Sequence, residues 1–118
     1  MLAHILERDG TTCVWCRREI GTGLVEATVE HVVPRIKGGP TWPENLVGAC
    51  SRCNRARGHR TPADWLAECR GRGWEPDESR IVASLEALAG AISRRGGQRR
   101  ARPYLAAQRR RLQPAGAG

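Results

Sequence analysis

Three residues are of types that support the hydrolysis of a phosphodiester bond: the neighbours Glu30 and His31, and the later Asn54. Histidine has an ordinary pKa of about 6.5, so a neutral imidazole can take a proton from an attacking water near physiological pH. Carboxylate and amide oxygens are ligands that Mg²⁺ prefers, and such a cation stabilises the negative charge that develops on a phosphate. These residue types therefore favour metal-assisted hydrolysis.

Four cysteines form two CxxC pairs, Cys13 with Cys16 and Cys50 with Cys53. Four thiolates complete the tetrahedral shell of a structural zinc, and such a closed site does no chemistry. The alternative is four buried or disulfide-bonded cysteines, but paired cysteines in a reducing compartment more often hold metal. The fifth cysteine, Cys69, falls in a predicted helix and is expected to be a core thiol.

The first ten residues, MLAHILERDG, already contain Glu7 and Asp9, which does not fit the apolar centre of a signal peptide. No stretch approaches the roughly 20 apolar residues of a membrane span. We therefore expect a cytoplasmic protein without membrane contact. A composition rich in Arg, Ala and Gly favours a bacterial or phage genome of high GC content.

The positive charge is concentrated at the C-terminal end of the chain. Residues 1–86 contain 12 basic and 12 acidic side chains, so the formal net charge of +8 comes from eight later arginines: Arg94, Arg95, Arg99, Arg100, Arg102, Arg109, Arg110 and Arg111. Such a block attracts phosphate without regard to sequence, although a solvated helix face is the alternative. Gly96 and Gly97 predict a hinge, Pro103 predicts a last helix of about ten residues, and the composition of residues 114–118 predicts disorder.

The central part of the chain is expected to form a β-hairpin. Residues 24–33 are rich in β-branched side chains and predict a strand, which Pro34 ends. Residues 37–45 have the glycines and prolines of a turn, and residues 46–49 predict the returning strand. A helix is expected over 51–57, beginning inside the second cysteine pair.

Further helices are expected on both sides of this hairpin. Residues 2–8 have apolar side chains at helical spacing, and Thr61 with Pro62 predicts the start of a helix over 63–70. A longer helix is expected from Glu78, with one apolar face that packs over the hairpin. That face consists of Ile81, Val82, Leu85, Leu88, Ala89 and Ile92. The four tryptophans, Trp15, Trp42, Trp65 and Trp74, are expected to serve in packing rather than base stacking.

The motifs together resemble the HNH endonucleases of the ββα-metal type over about residues 2–62. The matching elements, in chain order, are Cys13 and Cys16, Glu30-His31 with Pro34 behind it, Gly38-Gly39, Asn45-Leu46, Cys50-x-x-Cys53-Asn54, and Arg57-Gly58. The resemblance implies a small α+β fold, a ββα-metal (His-Me finger) HNH core held by a zinc site of four cysteines. C-terminal helices and a basic tail would follow that core.

The resemblance also implies roles for individual residues. His31 would be the general base, and Asn45 would hold the loop and orient the imidazole. Glu30 and Asn54 would ligate one catalytic cation, magnesium or manganese, and zinc would be purely structural. Because neighbouring side chains point to opposite faces of a regular strand, Glu30 and His31 can share a site only if the pleat is broken at that point. Either a bulge or the end of the strand before Pro34 would break it.

Several basic residues lie near these positions and are expected to contact nucleic acid. They are Arg35 and Lys37 in the glycine loop, Arg55 and Arg57 on the short helix, and His59. His59 is placed about 140° round the helix from Asn54, at 3.6 residues per turn, and is therefore expected to face away from the catalytic site.

These observations predict three segments: an HNH nuclease core with zinc knuckles over 1–62, a helical extension over 63–95, and an Arg-rich, partly disordered tail over 96–118. The predicted function is a metal-dependent endonuclease that hydrolyses DNA, with double-stranded DNA as the expected partner. One alternative is a non-catalytic zinc module that only binds nucleic acid. The other is a nuclease subunit that is active only in a larger phage-packaging or restriction complex.

Overall fold

A two-stranded antiparallel hairpin surrounded by five helices makes up the fold, in a computed structural model that describes residues 1–113. The strands are β1 (Ala27–His31) and β2 (Leu46–Cys50), and they are joined by a loop with two short 3-10 turns, Arg35–Lys37 and Pro43–Asn45. The helices are α1 (Leu2–Asp9), α2 (Ser51–Arg57), α3 (Pro62–Gly71), α4 (Glu78–Arg95) and α5 (Ala101–Arg111).

Strand β1 is shorter at both ends than the predicted range of 24–33, because it begins at Ala27 and the chain leaves the ladder after His31. The register runs from Ala27 opposite Cys50 to His31 opposite Leu46. Beyond that point, the Val32 amide donates to the Asn45 carbonyl, at 2.9 Å. The remaining elements lie within a few residues of their predicted positions, because their caps and apolar spacing are strong local signals.

Helix α1 and the first cysteine pair pack against β2. Arg8 donates to the carbonyls of Pro43 and Leu46, at 2.8 and 2.7 Å, and so ties α1 to the start of β2. The Val14 amide donates to the Gly48 carbonyl at 3.1 Å, and the Val14 carbonyl accepts from the Asp77 amide at 2.8 Å. The segment with the first CxxC pair therefore lies between β2 and the beginning of α4.

Helix α4 covers the hairpin with the apolar face that the sequence predicts. Ile81, Leu85, Leu88 and Ile92 are buried, whereas Val82 and Ala89 are only partly covered. The Ser84 hydroxyl donates to the Glu44 carbonyl at 2.6 Å, which fixes α4 on the 3-10 turn before β2.

Helix α5 begins at Ala101, two residues before the predicted start at Pro103, and it packs on α3 and α4. Ala101 and Leu105 are buried, and the buried Gln108 side chain accepts a hydrogen bond from the Ala63 amide at 2.9 Å. Much of the basic tail is therefore an ordered part of the fold. The predicted disorder of residues 114–118 lies outside the described residues.

Two tryptophans form the centre of the core, in agreement with the prediction that they serve in packing. Trp15 and Trp65 are fully buried, with ring centroids 6.4 Å apart in an edge-to-face arrangement. Cys69 is buried beside them, as expected of a core thiol. Within residues 1–113, no helix has the length and apolar character needed to cross a membrane.

Candidate active site

The residues expected to do chemistry meet at one open cleft of about 380 Å³ between β1, the loop after it, and α2. Strand β1 supplies the polar residues on one side, the first 3-10 turn supplies a second wall, and the end of α2 supplies a third. The lining residues are Val29, Glu30, His31, Pro34, Arg35, Ile36, Asn54, Arg57, Gly58 and His59.

His31 is the last residue of β1, and its side chain is half-buried. Its Nε2 lies 2.9 Å from the hydroxyl oxygen of Thr41. Partial burial lowers the pKa of His31 below its ordinary 6.5, and the nearby positive charges of Arg35 and Arg57 lower the pKa further. The lowered pKa favours the neutral imidazole, which is the form that can accept a proton.

Thr41 is a contact that the sequence does not reveal. It is an exposed threonine after a Gly-Gly-Pro turn, and such residues are common in loops without any role. Its position opposite His31 follows from the path of the loop, and that path is determined by a side chain further along the chain.

That side chain is Asn45, which is fully buried and bonds the loop backbone at three points. Its Oδ1 accepts from the Val33 amide at 2.9 Å, and its Nδ2 donates to the carbonyls of Val33 and Pro40 at 3.0 and 2.9 Å. The predicted loop-holding geometry of Asn45 is therefore present. Among the described hydrogen bonds, however, the imidazole of His31 is paired with Thr41 rather than with Asn45.

Gly39 makes the close folding of this loop sterically feasible. A Cβ at this position would lie 1.8 Å from the Val33 carbonyl oxygen, so a larger residue cannot be accommodated without moving the backbone. The Gly38-Gly39 motif therefore serves the geometry of the loop that presents Thr41 to His31.

Glu30 lines the same cleft as His31, but it is buried, with only 4% of its surface exposed. One carboxylate oxygen accepts from the Trp15 indole N–H, and the other accepts from the Arg57 guanidinium at 3.1 Å. Burial raises the pKa of Glu30 to about 7, although the charge of Arg57 and the hydrogen bond from Trp15 oppose this shift.

Arg57 lines the cleft but is only 1% exposed, and its guanidinium is bonded within the protein, so its contact with nucleic acid stays a prediction. Besides Glu30, it donates to the carbonyls of His31 and Val32 at 2.9 and 2.7 Å. It also donates to the Arg60 carbonyl at 3.0 Å, and it lies over the Trp15 ring. Arg57 thereby joins the end of α2 to the backbone that carries His31.

Asn54, on α2, faces β1 across the cleft. Its Nδ2 donates to the Thr28 hydroxyl at 3.1 Å and approaches the Val29 carbonyl at 3.5 Å. Among the hydrogen bonds of residues 1–113, none uses its Oδ1, so this amide oxygen remains free to meet a cation or water. The donor chemistry of Asn54 therefore fits the hard cation expected from the sequence.

The expected break in the pleat is absent, because the ladder continues in register from Glu30 opposite Val47 to His31 opposite Leu46. The strand does end before Pro34, which is the other way in which the sequence analysis expected the pleat to be interrupted. In this arrangement the carboxylate of Glu30 is occupied by Trp15 and Arg57. Glu30 therefore does not fit an open cation site as Asn54 does.

His59 lines the cleft, so the expectation that it faces away from the site is wrong. The helical angle does not apply, since α2 ends at Arg57 and the chain turns at Gly58. His59 is exposed, and so are Arg35 and Lys37 on the first 3-10 turn. Arg55 is also exposed, on α2 outside the cleft lining.

The four cysteines of the CxxC pairs form a separate cluster. The sulfur atoms of Cys13, Cys16, Cys50 and Cys53 all lie within 4.8 Å of one another, and the Cys16 and Cys50 sulfurs are 3.9 Å apart. With Zn–S bonds of about 2.3 Å, a tetrahedral zinc site separates its sulfurs by about 3.8 Å. All five cysteines of the chain are free of disulfides, so the cluster could hold zinc.

The cysteine cluster and the cleft share helix α2. Cys50 caps this helix by accepting from the Cys53 amide at 3.4 Å, and Asn54 follows directly. A hydrogen bond from the Cys53 thiol lowers the pKa of Cys13 to about 4, as expected where thiols crowd around a thiolate. A metal bound here would fix the start of the helix that presents Asn54 to the cleft.

Comparison with known proteins agrees with these features. Residues 13–68 match the model of a family described as HNH endonuclease. A CRISPR-associated endonuclease Cas9 from Corynebacterium diphtheriae is 36% identical over 61 residues, which is 51% of this chain and 5% of that protein. The match confirms the resemblance that the sequence motifs indicate.

A solved structure shares the fold. The crystal structure of the Type II-C Cas9 enzyme from Actinomyces naeslundii matches 94% of this chain and 10% of that chain, with a TM-score of 0.52 and 22% identity. At that identity the likeness is one of fold, and it confirms the expected α+β architecture. This chain spans only a small part of the length of either Cas9 protein.

Proposed function

We propose that the protein is a metal-dependent endonuclease that hydrolyses phosphodiester bonds in DNA, because residues 13–68 match the HNH endonuclease family. The observation that carries the proposal is the contact between His31 and Thr41, beside the cleft that His31 and Asn54 both line. A histidine held by one ring nitrogen at the edge of an open cleft is suited to general base catalysis.

In the proposed mechanism, His31 accepts the proton of the attacking water through Nδ1. We assign the donor role to Nε2–H and the acceptor role to the Thr41 hydroxyl oxygen, because this tautomer leaves the lone pair of Nδ1 free. Thr41 also accepts more strongly from an imidazolium than from a neutral ring, because charge strengthens the hydrogen bond. Thr41 is thus a positioning residue for the base, and Asn45 maintains the loop that carries it.

A divalent cation, magnesium or manganese, would be held by Asn54 through its free Oδ1. When bound, it would stabilise the negative charge that develops on the phosphate. Glu30 was expected to be the second ligand, and we retain that role as a proposal. It requires the carboxylate to exchange its bonds to Arg57 and Trp15, which makes Glu30 the residue whose substitution is most informative about the cation site.

Zinc is the metal that we propose for the cysteine cluster, as a structural ion held by Cys13, Cys16, Cys50 and Cys53. The supporting observation is the spacing of the four sulfurs, which suits tetrahedral coordination. This metal would have no open position for substrate, and so its contribution would be to the folding of the hairpin and α2.

The test is nicking of supercoiled plasmid by the purified protein in magnesium, manganese or EDTA. We expect cation-dependent nicking that His31→Ala abolishes, while His4→Ala, a change at an exposed histidine on α1, leaves it intact. Thr41→Val should slow nicking roughly 10-fold, because one hydrogen bond of about 1.4 kcal/mol is lost, and Thr41→Ser should restore it. Equal nicking by wild type and His31→Ala would refute the proposal.

A second candidate is a nuclease that cuts only as part of a larger complex. It is favoured by the lengths of the two Cas9 proteins, of which this chain matches only 5% and 10%. This candidate predicts that the isolated protein binds plasmid but does not nick it, whichever cation is added. Nicking should appear when cell extract is added to the wild type, but not when it is added to His31→Ala.

A further inference from the structure

The end of α4 and the segment that leads into α5 lie directly against the loop that follows His31. The Arg100 guanidinium donates to the Ile36 carbonyl at 2.6 Å. Gly38 allows this approach, since its φ is +89° and a Cβ there would lie only 2.7 Å from the Cβ of Arg100. Arg95, the last residue of α4, lies over the Trp42 ring at 4.1 Å from its centroid.

This packing brings five basic residues from two distant parts of the sequence to one surface, which we call the basic strip. All five are exposed, and Arg35 also lines the cleft, so the strip is continuous with the candidate active site. Its members are Arg35, Lys37, Arg95, Arg99 and Arg100.

Within residues 1–113, the basic strip is not neutralised by acidic side chains. Of the eight salt bridges described for residues 1–113, none involves a member of the strip. Arginines further along α5 behave differently, because Arg109 pairs with Glu86 at 2.7 Å and Arg111 pairs with Asp64 at 2.6 Å. The arginine-rich tail therefore contains one group that fastens α5 to the protein and another that is left for an external anion.

We propose that the basic strip binds the backbone phosphates of a DNA duplex beside the bond that lies in the cleft. The inference rests on the proposed nuclease function, and it assigns phosphate binding to the α4–α5 junction rather than to the tail as a whole. Guanidinium groups match phosphate oxygens in geometry and charge, and exposed groups without an acidic partner break no ion pair on binding. Because phosphates are alike at every base pair, the strip supplies affinity and orientation without sequence preference.

The salt dependence of binding measures the phosphate contacts directly. For B-DNA, each neutralised phosphate contributes about −0.9 to the slope of log K against log salt. The double variant Arg99→Gln with Arg100→Gln should therefore lose about 1.8 from the magnitude of the slope. A rise from 50 to 200 mM salt should then weaken wild-type binding about 12 times more than it weakens binding by the variant.

The matched control is Arg109→Gln with Arg111→Gln, which removes the same two charges from the formal +8 but at positions already paired with acids. Both variants, and Arg99→Gln alone, are compared with wild type by fluorescence anisotropy on a labelled 20-base-pair duplex in EDTA. The Arg99 side chain makes no hydrogen bond or ion pair in the described part of the chain, so its single variant tests the strip without disturbing packing. It should lose about 0.9 from the slope, and the control should keep the wild-type slope.

Equal loss of slope in the strip variant and the control would overturn the proposal, because net charge rather than position would then govern binding. An unchanged slope in both, together with plasmid nicking by the wild type, would also overturn it and would leave the nuclease function standing. A wild type that neither binds the duplex nor nicks plasmid would overturn both. If the strip variant loses salt dependence in binding to single-stranded DNA or RNA but not in binding to the duplex, duplex DNA is rejected as the partner.

Discussion

Replacement of Arg57 should destabilise the fold strongly, although this residue lies at the end of a short helix. Arg57→Met keeps an unbranched apolar stem and removes the guanidinium, leaving the buried carboxylate of Glu30 without its ion pair. The carbonyls of His31 and Val32 also lose their donors. Breaking a buried pair by removing one partner costs about 3–5 kcal/mol, out of roughly 6–18 kcal/mol for a domain of this length.

The size of this effect should depend on pH. Burial already raises the pKa of Glu30 to about 7 from its ordinary 4.5, so the folded state binds more protons than the unfolded state between these values. The protonation of Glu30 therefore contributes fully to stability below about pH 4.5, and this contribution is lost as the pH rises through 7. Without the charge of Arg57, the pKa of Glu30 should rise further, and the deficit of the variant should grow from pH 5 to pH 8.

Urea unfolding at pH 5 and pH 8, in the absence of added divalent cation, measures this effect. We expect the free energy of unfolding of Arg57→Met to be lower than that of wild type by about 3–5 kcal/mol at pH 8, and by less at pH 5. Arg55→Met, an exposed neighbour on the same helix, should stay within about 0.5 kcal/mol of wild type at both. A deficit for Arg57→Met that equals that of Arg55→Met, or one that does not vary with pH, would refute this reasoning.

Three further predictions follow from the loop, the base and the cysteine cluster. In thermal unfolding, Gly39→Ala should destabilise the protein by about 2 kcal/mol or more, because the added Cβ would meet the Val33 carbonyl. Gly71→Ala is the control, and it should be neutral or stabilising because no atom lies within 4 Å of the added Cβ. The acid limb of the pH profile of kcat/KM should have its midpoint below pH 6.5, because burial and Arg35 lower the pKa of His31. Arg35→Gln should move this midpoint to higher pH. A wild-type midpoint above pH 6.5 would contradict the assignment of His31 as the base. About one zinc per chain should be found by metal analysis, and Cys50→Ser should lose both metal and cooperative unfolding; a folded, metal-free wild type would rule out this role.

Local patterns in the sequence were sufficient to predict most of the elements and the cysteine cluster. The caps at Thr61 and Asp77 bond as their residue types suggest, with Asp64 and Arg80 amides at 3.1 Å each. These signals act within a few residues, so they do not depend on how distant parts of the chain meet. The two CxxC pairs are a second kind of local signal, since each pair already has the spacing for a shared metal.

The details of the cleft depend on long-range pairing, and there the sequence was a weaker guide. The partnership of Glu30 with Arg57 joins residues 27 positions apart, and alternation along β1 alone does not reveal which group will meet the buried carboxylate. The role of Thr41 depends on the three bonds of Asn45 to the loop. His59 lies beyond the end of α2 at Arg57, so the helical spacing from Asn54 does not determine where its side chain points.

The proposed role of His31 as the general base is tested most directly by chemical rescue. Single-turnover cleavage of a labelled duplex in magnesium should fall about 10²–10⁴-fold in His31→Gly, the range typical for the loss of a positioned base. Added imidazole should restore part of that rate in His31→Gly and have no effect on the wild type. A His31→Gly variant that cleaves at the wild-type rate, or a loss of cleavage that imidazole leaves unchanged while duplex binding and folding are intact, would contradict the assignment.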